Sequence, residues 1–287
     1  MAKLIDGRKI AQEINAAVKN EIRKLCPSSG APLKLASLMI GRSEDAQIFL
    51  NMQKKAAESV GIEFSPHELD ENISQGAFIG KIKELNADDT VTAIIVQKPL
   101  PEGMDHGKVA SSIAPEKDAE GVHPCNLGKI FRREADIVPC TPGAVMKILR
   151  VHDIDLDGKE VVIVGHSAIV GKPLSLMMLN EMATTTVCHI GTAESGNLQE
   201  HARRADILVV AVGKAEMVRS DWVAEGAVVI DVGINKVNGG IVGDVNFSEV
   251  AERASAITPV PGGVGPVTVS ILMRNVLRAY VDQNPGS

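Results

Sequence analysis

The sequence predicts an α/β protein in two parts: an N-terminal α/β domain and a second domain doubly wound around a parallel sheet. Three observations carry this. The chain has 287 residues, more than the roughly 100 to 200 of one typical domain. From residue 7 to about 150, helical periodicity alternates with short apolar runs. From 158 to 260, five near-continuous apolar runs recur every twenty to thirty residues or so, separated by segments of helix length. That is the pattern of a parallel sheet covered on both faces.

Taken in order, Ile10, Ile14, Val18, Ile22 and Leu25 form the stripe of an amphipathic helix. Leu35 to Ile40 and Val91 to Val96 are short β-rich runs, and residues 44–60 and 74–85 have helical apolar spacing, so the first half reads β-α-β-α. Gln97-Lys98-Pro99-Leu100-Pro101 ends a strand abruptly. The five later runs are Val161 to Gly165, Thr185 to His189, Ile207 to Val212, Ala227 to Asp231 and Ala256 to Val260; Leu174 to Met182 is a helix between the first two. Residues 266–281 return to a helical pattern that packs back on the first half.

Composition narrows the function. With 45% hydrophobic and 23% charged residues the chain is an ordinary globular protein. A net charge of -6 offers no basic field for nucleic acid. No apolar run approaches the roughly 18 residues of a bilayer span, and the N-terminus lacks the apolar core of a secretory signal, so a cytoplasmic protein without membrane contact is expected. Cys26, Cys125, Cys140 and Cys188 form no Cys-x-x-Cys pair, and no two of the seven histidines stand four apart, so neither a disulfide framework nor a metal site is expected.

The run Val161 to Val164 passes into Gly165-His166-Ser167-Ala168-Ile169-Val170-Gly171-Lys172-Pro173 and then a helix. A strand, a glycine turn and a helix start offer free backbone N–H groups and a positive dipole end to a pyrophosphate. Ser167 stands where a dinucleotide fingerprint has its second glycine, so a plain tight turn competes with this reading. The end of the next strand, Cys188-His189-Ile190-Gly191-Thr192, offers the ribose neither an acid nor a base. Asp231-Val232-Gly233-Ile234-Asn235 and Pro259 to Pro266 close the fourth and fifth strands, where ligands of such sheets bind.

Six ordered motifs, VQKPLP (96–101), PEKDAEG (115–121), PCTPGAV (139–145), VGHSAIVGKP (164–173), VGDVNF (242–247) and ITPVPGGVGPVT (257–268), resemble the methylenetetrahydrofolate dehydrogenase/cyclohydrolase family, also called FolD. The resemblance implies a folate domain (residues 1–145 with 270–287), a Rossmann-type NAD(P)-binding domain (146–269), an active-site cleft between them, and a homodimer. It implies oxidation of 5,10-methylenetetrahydrofolate by a nicotinamide cofactor, then opening of the methenyl product by water to 10-formyltetrahydrofolate. By the same resemblance Gln97 and Glu120 orient the pterin, and Pro261 and Gly265 border folate and nicotinamide. Thr141, Gly165, His166, Ser167, Gly171, Ile190, Gly233 and Ile234 line the cofactor.

Departures from the family pattern sharpen the expectation. Where the family carries a tyrosine and, four residues on, the lysine of the hydrolytic step, this chain has Phe49 and Gln53. Glutamine cannot exchange a proton near neutral pH, so cyclohydrolase activity is expected to be weak or absent. A fully bifunctional enzyme that compensates locally is the alternative, and a low-turnover folate-binding paralogue is another. Lys98 replaces the family's leucine; it either returns an amine to the cleft, projects to solvent or binds the substrate's glutamate tail. Glu120 replaces the pterin-binding aspartate, with Asp118 as rival and Lys117 as a possible ion-pair partner of Asp118. Because His166 and Ile190 stand where NADP-specific members hold the 2'-phosphate, NAD is favoured over NADP, unless Lys172 or Arg203-Arg204 fold toward the ribose. Cys140 reads as a helix entry, not a nucleophile.

Overall fold

The computed structural model describes residues 2–25, 33–41, 44–237 and 239–285; Cys26 lies outside them. In chain order the elements are β1 (Lys3–Leu4), α1 (Gly7–Leu25), β2 (Lys34–Ile40), α2 (Glu44–Val60), β3 (Glu63–Leu69), α3 (Gln75–Ala87), β4 (Ala93–Val96), α4 (His106–Ala110), α5 (Pro124–Phe131) and α6 (Cys140–Val151). Then follow β5 (Glu160–Val164), α7 (Gly171–Asn180), β6 (Thr184–Cys188), α8 (Ile190–Glu194), α9 (Leu198–Arg203), β7 (Ile207–Val210) and β8 (Val228–Asp231). β9 (Asn235–Val237), β10 (Gly240–Val242), α10 (Phe247–Val250), β11 (Ala256–Ile257) and α11 (Val264–Gln283) complete the chain. It divides into two compact units, residues 12–140 with 269–287, and residues 1–11 with 141–268.

The first of these units holds a parallel three-stranded sheet in the order β3-β2-β4. β2 and β4 are buried almost throughout, and Ala36, Leu38, Ile94 and Val96 pack on Phe78, Ile82 and Leu85 of α3. The sequence reading passed over β3. Its residues Glu63, Ser65, Pro66 and His67 interrupt the apolar pattern, and as the outer strand it tolerates a proline that a central strand would not.

The other unit is the doubly wound domain: a six-stranded parallel sheet in the order β1-β11-β8-β7-β5-β6, with a small antiparallel hairpin of β9 and β10. Val162, Val164, Leu208, Val210, Val229 and Ile257 feed one core with Leu198, Ala202 and Val250. Three expectations are corrected. Residues 1–11 group with this unit and not with the first half, because Lys3 and Leu4 extend the sheet beside Ala256 and Ile257. The last strand stops at Ile257, since the Thr258 hydroxyl turns to accept from the Asp231 N–H at 2.8 Å. The helix expected over 174–182 begins three residues earlier, at Gly171, and ends at Asn180.

Candidate active site

In the unit of residues 12–140 and 269–287, the site residues gather at the C-terminal end of β4. α2 buries Leu50, Gln53, Ala57 and Val60, spaced three or four apart on one face, and leaves Phe49 37% exposed. Gln53 is thus a polar residue in a buried stripe. Its Oε1 accepts from Gln97 Nε2 at 2.6 Å, and the same Nε2 donates to the Ser37 hydroxyl at 2.9 Å. Ser37, fully buried in the middle of β2, was missed; a lone hydroxyl in the apolar run KLASLMI was the signal available.

Lys98, the next residue, pairs with Glu120 and not with the buried amides. Its Nζ lies 3.3 Å from Glu120 Oε1, with the lysine side chain 35% exposed and the glutamate 20%. Burial pushes the Glu120 carboxyl above its usual range; Lys98 opposes the shift and Asp118 adds to it. Asp118 is fully buried and already occupied, accepting from the N–H groups of Gly121 and His123 and from Asn126 Nδ2 at 2.8 to 3.0 Å. The expected Lys117–Asp118 ion pair is absent among the described contacts. Lys117 Nζ turns to the carbonyls of Asn86 and Asp88, closing the end of α3 at 2.9 and 2.8 Å. Burial, then the Glu120 and Asp118 carboxylates, push the Cys140 thiol well above its usual value, which keeps it protonated. Asn275 of α11 donates to the carbonyls of Ala119 and Val138 at 2.9 and 2.8 Å, fixing the backbone that carries Glu120.

In the doubly wound unit most of the remaining candidates follow the C-terminal ends of strands. Gly165, at φ +127°, follows β5, and a Cβ on it would meet the Ala211 carbonyl oxygen at 2.3 Å. A Cβ on Gly171 would stand 1.9 Å from the Gly165 oxygen. Both glycines are therefore fixed by backbone packing. Between them His166 and Ser167 are exposed, and Ser167 Oγ accepts from the Val170 N–H at 3.1 Å, shaping the turn into the ten-residue helix α7. This open turn against a helix N-terminus fits a pyrophosphate. The His166 and His189 rings stand edge to face, 5.3 Å apart, and Ile190 is 61% exposed. Thr141 is half-buried near the start of α6. Pro261 is exposed and Gly265 half-buried at the start of α11.

Gly233 and Ile234 follow β8, and their loop rests on two buried acids that the sequence reading left without a role. Asp244 accepts from the N–H groups of Val212, Gly213 and Lys214 and from Asn235 Nδ2. Asp231 accepts from those of Gly233, Asp244 and Val245. The loop after β7, the loop after β8 and the hairpin are thereby tied into one floor. Burial pushes the Asp231 carboxyl up to about 6, outweighing its three donors. An acid whose folded value lies above its unfolded one supports the fold fully when protonated, below about pH 4, and loses that contribution as pH rises through about 6. The stability advantage of wild type over Asp231→Asn, read from urea unfolding, is expected to shrink by about 2 kcal/mol between about pH 4 and about pH 7; a constant difference would contradict the shift.

Residues 5–120 match the tetrahydrofolate dehydrogenase/cyclohydrolase catalytic domain and residues 139–284 the NAD(P)-binding domain of the same name. The chain is 46% identical over 278 residues to the bifunctional protein FolD of Clostridium perfringens, covering 97% of this chain and 99% of that one. The crystal structure of the bifunctional FolD methylenetetrahydrofolate dehydrogenase/cyclohydrolase of Campylobacter jejuni superposes with a TM-score of 0.94 at 40% identity, covering 99% of this chain and 100% of that one. That of the Trypanosoma brucei dehydrogenase-cyclohydrolase, complexed with NADP and an inhibitor, superposes with a TM-score of 0.93 at 38% identity, covering 99% of both chains.

Proposed function

Since this chain belongs to the tetrahydrofolate dehydrogenase/cyclohydrolase family, we propose that it oxidises 5,10-methylenetetrahydrofolate with a nicotinamide cofactor and hydrolyses the methenyl product. The observation that carries the reading is the 46% identity along nearly the whole chain to a protein described as bifunctional. It favours the two-step alternative over the expectation that hydrolysis is weak or absent. That expectation keeps one specific support, the buried amide pair of Gln53 and Gln97, which holds no exchangeable charge.

In this reading Gln97 and Glu120 orient the pterin, the carboxylate accepting from its amino and ring N–H groups, while Phe49 offers an apolar wall. Pro261 and Gly265 border folate and nicotinamide, Thr141, His166, Gly233 and Ile234 flank the cofactor, and Gly165, Ser167 and Gly171 hold its phosphates. The bound nicotinamide supplies the hydride acceptor; the protein's part is positioning. NAD is the proposed form: Ile190 offers the ribose an exposed apolar side chain, and Arg203 is engaged with Asp221, its Nε donating to the Asp221 carbonyl. A cytoplasmic homodimer, implied by the resemblance, belongs to the same proposal.

Separate assays test the two steps. Methylene oxidation is followed at the nicotinamide band, and methenyl hydrolysis is corrected for its spontaneous rate. Both are expected, hydrolysis at least about tenfold above the spontaneous rate. Oxidation without hydrolysis would return the reading to a dehydrogenase alone, and tight folate binding without either would make the chain a binding paralogue.

A further inference from the structure

Hydrolysis of a methenyl carbon needs a group that can surrender a proton to the departing ring nitrogen. The buried polar chain at the end of β4, Ser37, Gln97 and Gln53, consists of a hydroxyl and two amides, none of which does so near neutral pH. Among the described residues around it, Asp118 is enclosed with its oxygens taken by three donors. The thiol of Cys140 is held far from ionisation. Lys98 differs from all of these. It directly follows Gln97, its Nζ is fixed 3.3 Å from Glu120 Oε1, and its side chain is 35% exposed, so it can be reloaded with protons from water. The carbonyl of Ala119, just before Glu120, is held by Asn275, which keeps the carboxylate partner in place.

We propose that Lys98 is the proton-donating catalytic residue of the hydrolytic step, positioned by Glu120. This rests on the two-step reading above. Water oxygen bonds to the methenyl carbon and one water proton passes to solvent, leaving a neutral carbinolamine. The bond from that carbon to the ring nitrogen then breaks, its electron pair staying on nitrogen. The Lys98 ammonium delivers a proton there, and the carbinol hydroxyl proton returns to the resulting amine as the formyl C=O forms. One proton is released overall, and Lys98 ends as it began.

The test uses full-length wild type, Lys98→Arg and Lys98→Ala, with both reactions followed from about pH 6 to about pH 9. Arginine keeps the charge and the ion pair with Glu120 but does not release its proton. Both substitutions are expected to lower the ratio of hydrolytic to oxidative kcat by at least about tenfold. Lys98→Ala should regain hydrolysis with added ethylammonium and not with tetramethylammonium, which has no proton to give. A Lys98→Arg enzyme hydrolysing at the wild-type ratio, or Lys98→Ala unresponsive to ethylammonium, would overturn the assignment to Lys98. Wild type that oxidises but hydrolyses no faster than buffer would instead overturn the two-step reading, and this assignment with it.

Discussion

Asp244→Ala is expected to destabilise the doubly wound unit by on the order of 4 kcal/mol and to remove nicotinamide cofactor binding at ordinary concentrations. The carboxylate is fully buried and accepts four hydrogen bonds, three of them from the consecutive N–H groups of Val212, Gly213 and Lys214. Alanine removes that charged acceptor, orphaning the half-buried Val212 N–H and turning those of the exposed Gly213 and Lys214 to water; hydrogen bonds to a charged group contribute about 1.5 to 3 kcal/mol each. It also frees Asn235, and with it the hairpin, from the loop after β7. Guanidinium unfolding of wild type and variant reads the first effect, and NAD and NADP titrations read the second. A loss under about 1 kcal/mol with unchanged cofactor affinity would show that these loops hold together without the acid.

Gly171→Ala should be nearly as damaging, through crowding. The added methyl would stand 1.9 Å from the Gly165 oxygen, 2.7 Å from its carbonyl carbon and 3.0 Å from His166 Cα, all backbone atoms with no side chain to swing aside. The N-terminal turn of α7 must therefore move away from the loop it closes. Overpacking of this kind costs about 1 to 3 kcal/mol, and the displaced turn should lower affinity for NAD and NADP alike by at least about tenfold. Equal loss for both forms separates a shared pyrophosphate cradle from a ribose contact. Unimpaired binding of both would mean that the phosphates sit elsewhere.

How much of this was legible in the sequence depends on where burial writes a pattern. α1 shows its apolar stripe because one face is buried, and the central strands β5, β7 and β8 show unbroken apolar runs because both faces are. The edge strand β3 and the short strands β1, β9 and β10 pair too few buried positions to leave such a mark. At the site, the residue types were readable and their partnerships were not. Lys98 meets Glu120 across 22 positions and Gln53 meets Gln97 across 44. Lys117 shows the opposite failure, since its neighbour in sequence is not its partner in space.

Discontinuity of the first unit has a consequence for how the chain matures on the ribosome. Residues 12–140 emerge early, yet the amides that knit them together come from the far end: Asn275 to Ala119 and Val138, and Gln283 to Thr92 and Glu116. The intervening 141–268 and the N-terminal strand can close their sheet while that earlier-made portion still waits for α11 to leave the exit tunnel. The ground beneath Glu120 is thus among the last to set, and stop codons late in the reading frame should loosen the backbone that carries it before they disturb the doubly wound sheet.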